Sequence, residues 1–174
     1  DCGRTFLYAR PYEGGKPFVI GDMEIEPIAL PHDTPTCDGF LIRSGHTTAA
    51  VVTDLGVCPE EVALRLRDLD VLVIECNHDP GMLDRSRYPY PLRRRIRSEH
   101  GHLSNLACAE LIGRVYTERL TDIFLAHLSE ENNTPELAYY TVTAYLRDKI
   151  DLQKCRIHVS LQSQISAIYR REED

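Results

Sequence analysis

Apolar residues in this chain fall into short runs separated by turn residues, and the period of each run predicts its shape. Lys16 to Ile20 and Met23 to Leu30 straddle Gly21-Asp22, a two-residue pair suited to a hairpin turn. Gly39 to Arg43 and Thr48 to Thr53 flank Ser44-Gly45-His46 and predict a second hairpin. The phase then changes. Pro59 opens a helix running to about Leu66, with Glu60 and Glu61 near its positive end, and Val71 to Glu75 follows as a buried strand. Ser104 is placed to cap a helix whose Ala107, Leu111, Ile112, Val115 and Tyr116 recur at helical spacing, and Ile123 to Ala126 continues as a strand. Thr134-Pro135 opens another helix with Leu137, Ala138, Thr141, Val142, Tyr145 and Leu146 on one stripe, which is core. Cys155 to Ser160 and Ile165 to Tyr169 read as closing strands, and Arg170 to Asp174 as a charged tail. Alternating strands and helices with no repeat or linker predict one α/β domain over residues 1–174.

Three of the runs end in a side chain able to bind metal or carry a proton: Ala49 to Asp54, Val71 to Glu75 and Ile123 to His127. In an open α/β sheet the carboxyl ends of the strands converge on one edge, where such folds place their chemistry. Leu30-Pro31-His32-Asp33 adds a histidine after another strand. A single histidine at a strand end is usually structural, and an aspartate before glycine is usually a turn residue. Taken together, His32, Asp54 and His127 offer imidazole and carboxylate donors that suit zinc, manganese or iron, whereas calcium prefers oxygen alone.

The formal charge of −7 and the lack of any apolar stretch long enough for a membrane predict a globular domain. Six cysteines occur without a CxxC pair, and Cys58, Cys76 and Cys108 lie in or beside apolar runs. They read as reduced and structural, as in a cytoplasmic protein. Against the acidic balance, Arg85, Arg87, Arg93, Arg94, Arg95 and Arg97 crowd one segment together with Tyr88 and Tyr90. Arginine forks suit phosphate and interleaved rings support bases or sugars, so the segment is either a nucleic-acid contact or a solvated loop.

Leu30 to Asp33 with Gly39-Phe40, Thr53-Asp54-Leu55-Gly56, Glu75-Cys76-Asn77-His78-Asp79, Tyr88-Pro89 with Leu92 to Ile96, Gly101 to Asn105, and Ala126 to Ser129 with Asn132 to Pro135 occur in that order. This succession, spanning most of Gly21 to Gln162, resembles the C-terminal two-thirds of a metallo-β-lactamase-fold hydrolase, in particular the metal-dependent DNA exonucleases of the WalJ/YycJ type. The resemblance implies an α/β fold, the metallo-β-lactamase αββα sandwich, lacking part of its N-terminal half. It implies two divalent ions, zinc or manganese with iron as a further option, held by His32, Asp54 as the bridging carboxylate, and His127. It further implies that His102 acts catalytically near the leaving group, and that Arg93, Arg94, Arg95, Ser104 and Asn105 bind DNA substrate. Glu75 only begins a string, Glu75 to Asp79, to which no role is assigned.

The HxHxDH motif that supplies three histidines and an aspartate in such enzymes does not occur in this sequence. Asp1-Cys2-Gly3 resembles the strand that precedes it, so a stretch is expected to be missing between Gly3 and the strands near Lys16, with a chain break near Gly3-Arg4. The remaining ligands would form half a site. Three functions follow: a DNA exonuclease, a small-molecule phosphodiesterase or thioester hydrolase of the same fold, or a metal-free nucleic-acid-binding remnant.

Overall fold

A computed structural model describes residues 10–170; the expected break near Gly3-Arg4 lies outside the described residues. Among the described residues seven strands form one mixed sheet in the order of the sequence: β1 (Phe18–Ile20), β2 (Met23–Ala29), β3 (Asp38–Ser44), β4 (Thr47–Val52), β5 (Val71–Glu75), β6 (Asp122–Ala126) and β7 (Arg156–Val159). The first four pair antiparallel through the two hairpins, whose Gly21 and Gly45 adopt the left-handed backbone the tight turns require. From β4 onward pairing is parallel, and helices make each return. These are α1 (Glu60–Arg65), α2 (Pro80–Arg85), α3 (Tyr90–Ile96), α4 (Asn105–Val115) and α5 (Pro135–Leu146).

Strands added in one direction with crossovers of the usual hand must carry their helices on one face of the sheet. The core confirms this: Leu41, Ala50, Val52, Leu72, Ile74, Ile123 and Leu125 from alternate strand positions share a cluster with Val62, Ile112 and Val142 of the helices. Across the other face runs the register row Phe40, Val51, Val73, Phe124 and His158, of which only Phe124 is buried. At the amino end of β6 the buried Asp122 accepts two hydrogen bonds from Arg156, at 2.9 and 2.8 Å, and one from His158 at 2.8 Å.

Helix starts follow their signals. Ser104 accepts from the Ala107 amide and Thr134 from the Leu137 amide, with Pro135 at the first helical position. Two expectations change. The arginine-rich segment is no loop but the short helices α2 and α3, the first capped by Asp79, which accepts from the Met82 amide at 2.7 Å. Ile165 to Tyr169 forms no strand: it follows the last pairing edge, and Ile165 and Ile168 are exposed.

Candidate metal centre

Because β2, β4, β5 and β6 run the same way, their carboxyl ends share one edge, and the residues following them meet there. Asp54 after β4, Glu75 ending β5, His102 before α4 and His127 after β6 each bring one donor atom within 4.8 Å of the others. His32, two residues past Leu30, joins them with its Nε2 3.9 Å from Asp54 Oδ1. The imidazoles stand in a row, with ring centres 5.2 Å apart from His32 to His102 and 5.3 Å from His102 to His127. Two of these residues sit on unusual backbone: φ is +63° at Asp54 and +56° at His127. Such left-handed conformations cost L-residues about 1–2 kcal/mol each and cluster at functional sites.

Glu75 is the centre of this arrangement, with no solvent exposure. Its Oε1 accepts from His102 Nδ1 at 2.8 Å and from His127 Nδ1 at 2.6 Å. Its Oε2 accepts from the backbone N–H groups of Leu55 at 3.2 Å and Leu103 at 3.0 Å. Burial pushes the Glu75 carboxyl up, but the two imidazole hydrogen bonds outweigh it and hold the group down at about 2. The same bond raises His127, against the opposing effect of its burial. Both Glu75 oxygens being committed, the donors open to an ion are Asp54 and imidazole nitrogens, even though Glu75 lies within ligand distance of the group.

Those nitrogens are prepared for it. His32 directs Nδ1 to the Gly101 carbonyl at 3.2 Å, so all three rings use Nδ1 for a protein partner; Nε2 is the second nitrogen of each, and that of His32 lies 3.4 Å from Asp33 Oδ1. Gly101 has no space for a Cβ, since its Cα packs on the Arg95 and Ile96 carbonyls at the end of α3. Imidazole and carboxylate donors with oriented second nitrogens fit zinc, manganese or iron. The string after Glu75 now has roles: Asn77 Nδ2 donates to the His127 carbonyl at 2.9 Å, and Asp79 caps α2. His78 is buried, which pushes its imidazole down to about 4.

The site opens into a cavity of about 390 Å3 walled by Tyr88, Leu92, Arg95 and Ile96 of the α3 region. Arg95 is held there by Asp33, its Nη2 bonding Oδ1 at 2.9 Å while Nε bonds Oδ2. Arg93 turns to the Asp84 carbonyl and neither it nor Arg94 lines the cavity. Ser104 and Asn105 do not line it either. Ser104 caps α4, and Asn105, fully buried, donates to Asn133 Oδ1 at 3.0 Å. The structure thus gathers His32, Asp54, His102, His127 and Arg95, and gives Ser104 and Asn105 to the scaffold. Sequence reasoning undervalued Glu75; a carboxylate closing an otherwise apolar strand was the signal, because a charge there demands partners.

This mixed sheet, with imidazoles and a carboxylate gathered at the ends of its strands, has the α/β metallo-β-lactamase fold. Residues 4–123 match the beta-lactamase superfamily domain, and the chain belongs to that family. The chain is 34% identical over 131 residues to exodeoxyribonuclease YycJ of Bacillus anthracis, covering 75% of this chain and 50% of that protein. It is 35% identical over 135 residues to exodeoxyribonuclease WalJ of Streptococcus pneumoniae serotype 2, covering 78% and 50%. The chain therefore spans about half the length of the curated relatives it matches. In fold it is similar to the metallo-beta-lactamase fold protein YhfI from Bacillus subtilis, with a TM-score of 0.62 at 15% identity over 86% of this chain and 51% of that one. Zn2+-bound PqqB from Methylobacterium extorquens gives 0.58 at 12% identity, covering 86% and 48%.

Proposed function

We propose that this chain serves a metal-dependent phosphodiester hydrolase, a DNA exonuclease like the relatives it matches. The observation that carries the reading is the meeting of three imidazoles and the Asp54 carboxylate in a cavity walled by Arg95, with His102 and His127 anchored through Nδ1 and His32 Nε2 lying 3.4 Å from Asp33 and 3.9 Å from Asp54. A bound divalent ion supplies Lewis acidity, lowering the pKa of water and neutralising charge on phosphate oxygens. His32, Asp54 and His127 would hold two such ions, zinc or manganese with iron as a third option; Asp54 Oδ1 lies 3.9 Å from His32 Nε2 and 3.7 Å from His127 Nδ1.

His102 lines the cavity and, with Nδ1 pinned to Glu75, has Nε2 as the nitrogen from which an imidazolium can give its proton to the leaving oxygen. Arg95, whose Nε and Nη2 are bound to Asp33, has its remaining guanidinium N–H groups for a backbone phosphate. Tyr88, Leu92 and Ile96 offer apolar surface on the same wall for a sugar or base.

The test is nucleotide release from 5′-phosphorylated duplex DNA in the presence of manganese or zinc. Asp54→Ala is expected to abolish release while the circular dichroism spectrum is retained; undiminished turnover would refute the reading. Arg95→Ala should weaken DNA binding and reduce its salt slope by about 1. Cleavage of small diesters or thioesters with DNA spared would assign a small-molecule hydrolase instead. DNA binding that survives both chelation and His127→Ala would assign a metal-free binding module.

A further inference from the structure

We infer that Glu75 is a positioning residue that fixes the tautomers of two histidines at once, forcing both His102 and His127 to carry their proton on Nδ1 and to offer Nε2 to the cavity. The carboxylate cannot turn. Its Oε2 is held by two backbone N–H groups, Leu55 and Leu103, which are fixed donors, and its Oε1 therefore meets both imidazoles as an acceptor. An acceptor shared by two rings at 2.8 and 2.6 Å requires a donor on each, so neither ring is able to place its neutral-state proton on Nε2 without losing this bond. Since Glu75 is without solvent exposure, its Oε1 is left short of a buried donor whenever either ring lets go.

The two anchoring amides come from the residue after Asp54 and the residue after His102. One carboxylate thereby ties the backbone beside Asp54 and His102, and the rings of His102 and His127, into a single unit. The inference shares its site with the proposed hydrolase, but its principal readout needs neither metal nor DNA.

That geometry makes an unusual forecast for Glu75→Gln. The amide must still give its oxygen to the Leu55 and Leu103 N–H groups, which leaves its NH2 facing the two Nδ1 atoms. Both imidazoles should then accept at Nδ1 and move their protons to Nε2. Nitrogen-15 correlation spectra of the metal-free chain at alkaline pH, where neutral rings dominate, are expected to show Nδ1–H forms for His102 and His127 in the wild type and Nε2–H forms in Glu75→Gln. Zinc affinity measured by calorimetry should fall about 10- to 100-fold in the variant. An Nε2–H form of either ring in the wild type overturns the inference, and this measurement stands even where the variant does not fold. Unchanged tautomers or unchanged zinc affinity in a folded Glu75→Gln overturn it equally. If DNA cleavage fails while the tautomers behave as stated, only the exonuclease reading falls.

Discussion

The parallel strands carry a buried carboxylate at each end, and the two are opposites. Asp122, at the amino end of β6, meets Arg156 through two hydrogen bonds and His158 through a third. Glu75, at the carboxyl end of β5, meets two histidines and two backbone amides. Both carboxyls are held below their ordinary range against the upward push of burial, in each case by hydrogen bonds from their partners. The partners make the difference. Two of the bonds on Asp122 come from Arg156, which is permanently charged and offers only donors, and its one histidine, His158, sits on β7 outside the cavity, so that cluster ties β6 to β7. Each histidine at Glu75 spends one nitrogen on the carboxylate and has a second in reserve, so that cluster is built to take something more. A buried charge is thus read less by its burial than by whether its partners also face a cavity.

The largest expected effect is on stability. Glu75→Ala strips the acceptor from two buried backbone N–H groups and should cost about 3 kcal/mol in chemical denaturation. Equal loss at both ends of the sheet would break the comparison. Added zinc, at a hundred times its dissociation constant, should then stabilise the wild type by about 2.7 kcal/mol. His127→Ala should remove that gain and His158→Ala should leave it, as thermal unfolding would show. Asp122→Ala is expected to cost only about 1 kcal/mol, because the Arg156 guanidinium is already largely in solvent and stays hydrated.

The smallest effect is in pH dependence of the metal-free chain. Glu75 and Asp122 have lowered folded-state values, so the stability they contribute is present above the ordinary carboxylate range and lost as pH falls, for Glu75 through about 2. His127 has a raised value, so its contribution is full below an ordinary histidine pKa of about 6.5 and lost as pH rises through the raised value. An alkaline decline in unfolding free energy that vanishes in His127→Gln would sharpen the contrast; its persistence in that variant would count against the Glu75 bond as its source.

Much of the fold was legible because its signals are local. Gly21-Asp22 and Gly45-His46 turn where expected, Ser104 and Thr134 cap, and the parallel strands end at Glu75 or within two residues before Asp54 and His127. The short helices α2 and α3 were missed: each has fewer than two and a half turns, and prolines stand at the start of both. The Asp79-Pro80 pair was the available cue for the first. Ser104 and Asn105 do not line the cavity, because nearness in sequence to His102 says nothing of direction and at a helix start successive side chains diverge. The centrality of Glu75 depends on partners 27 and 52 positions along the chain, a relation no local pattern contains.

The left-handed backbone at Asp54 and His127 sets the site against the scaffold that bears it. Glycine at either position would relax the turn by about 1 kcal/mol while deleting a metal donor. Laboratory evolution for heat tolerance alone would therefore drift toward glycine at these positions, and only a screen that also demands metal capture would keep Asp54 and His127 in place.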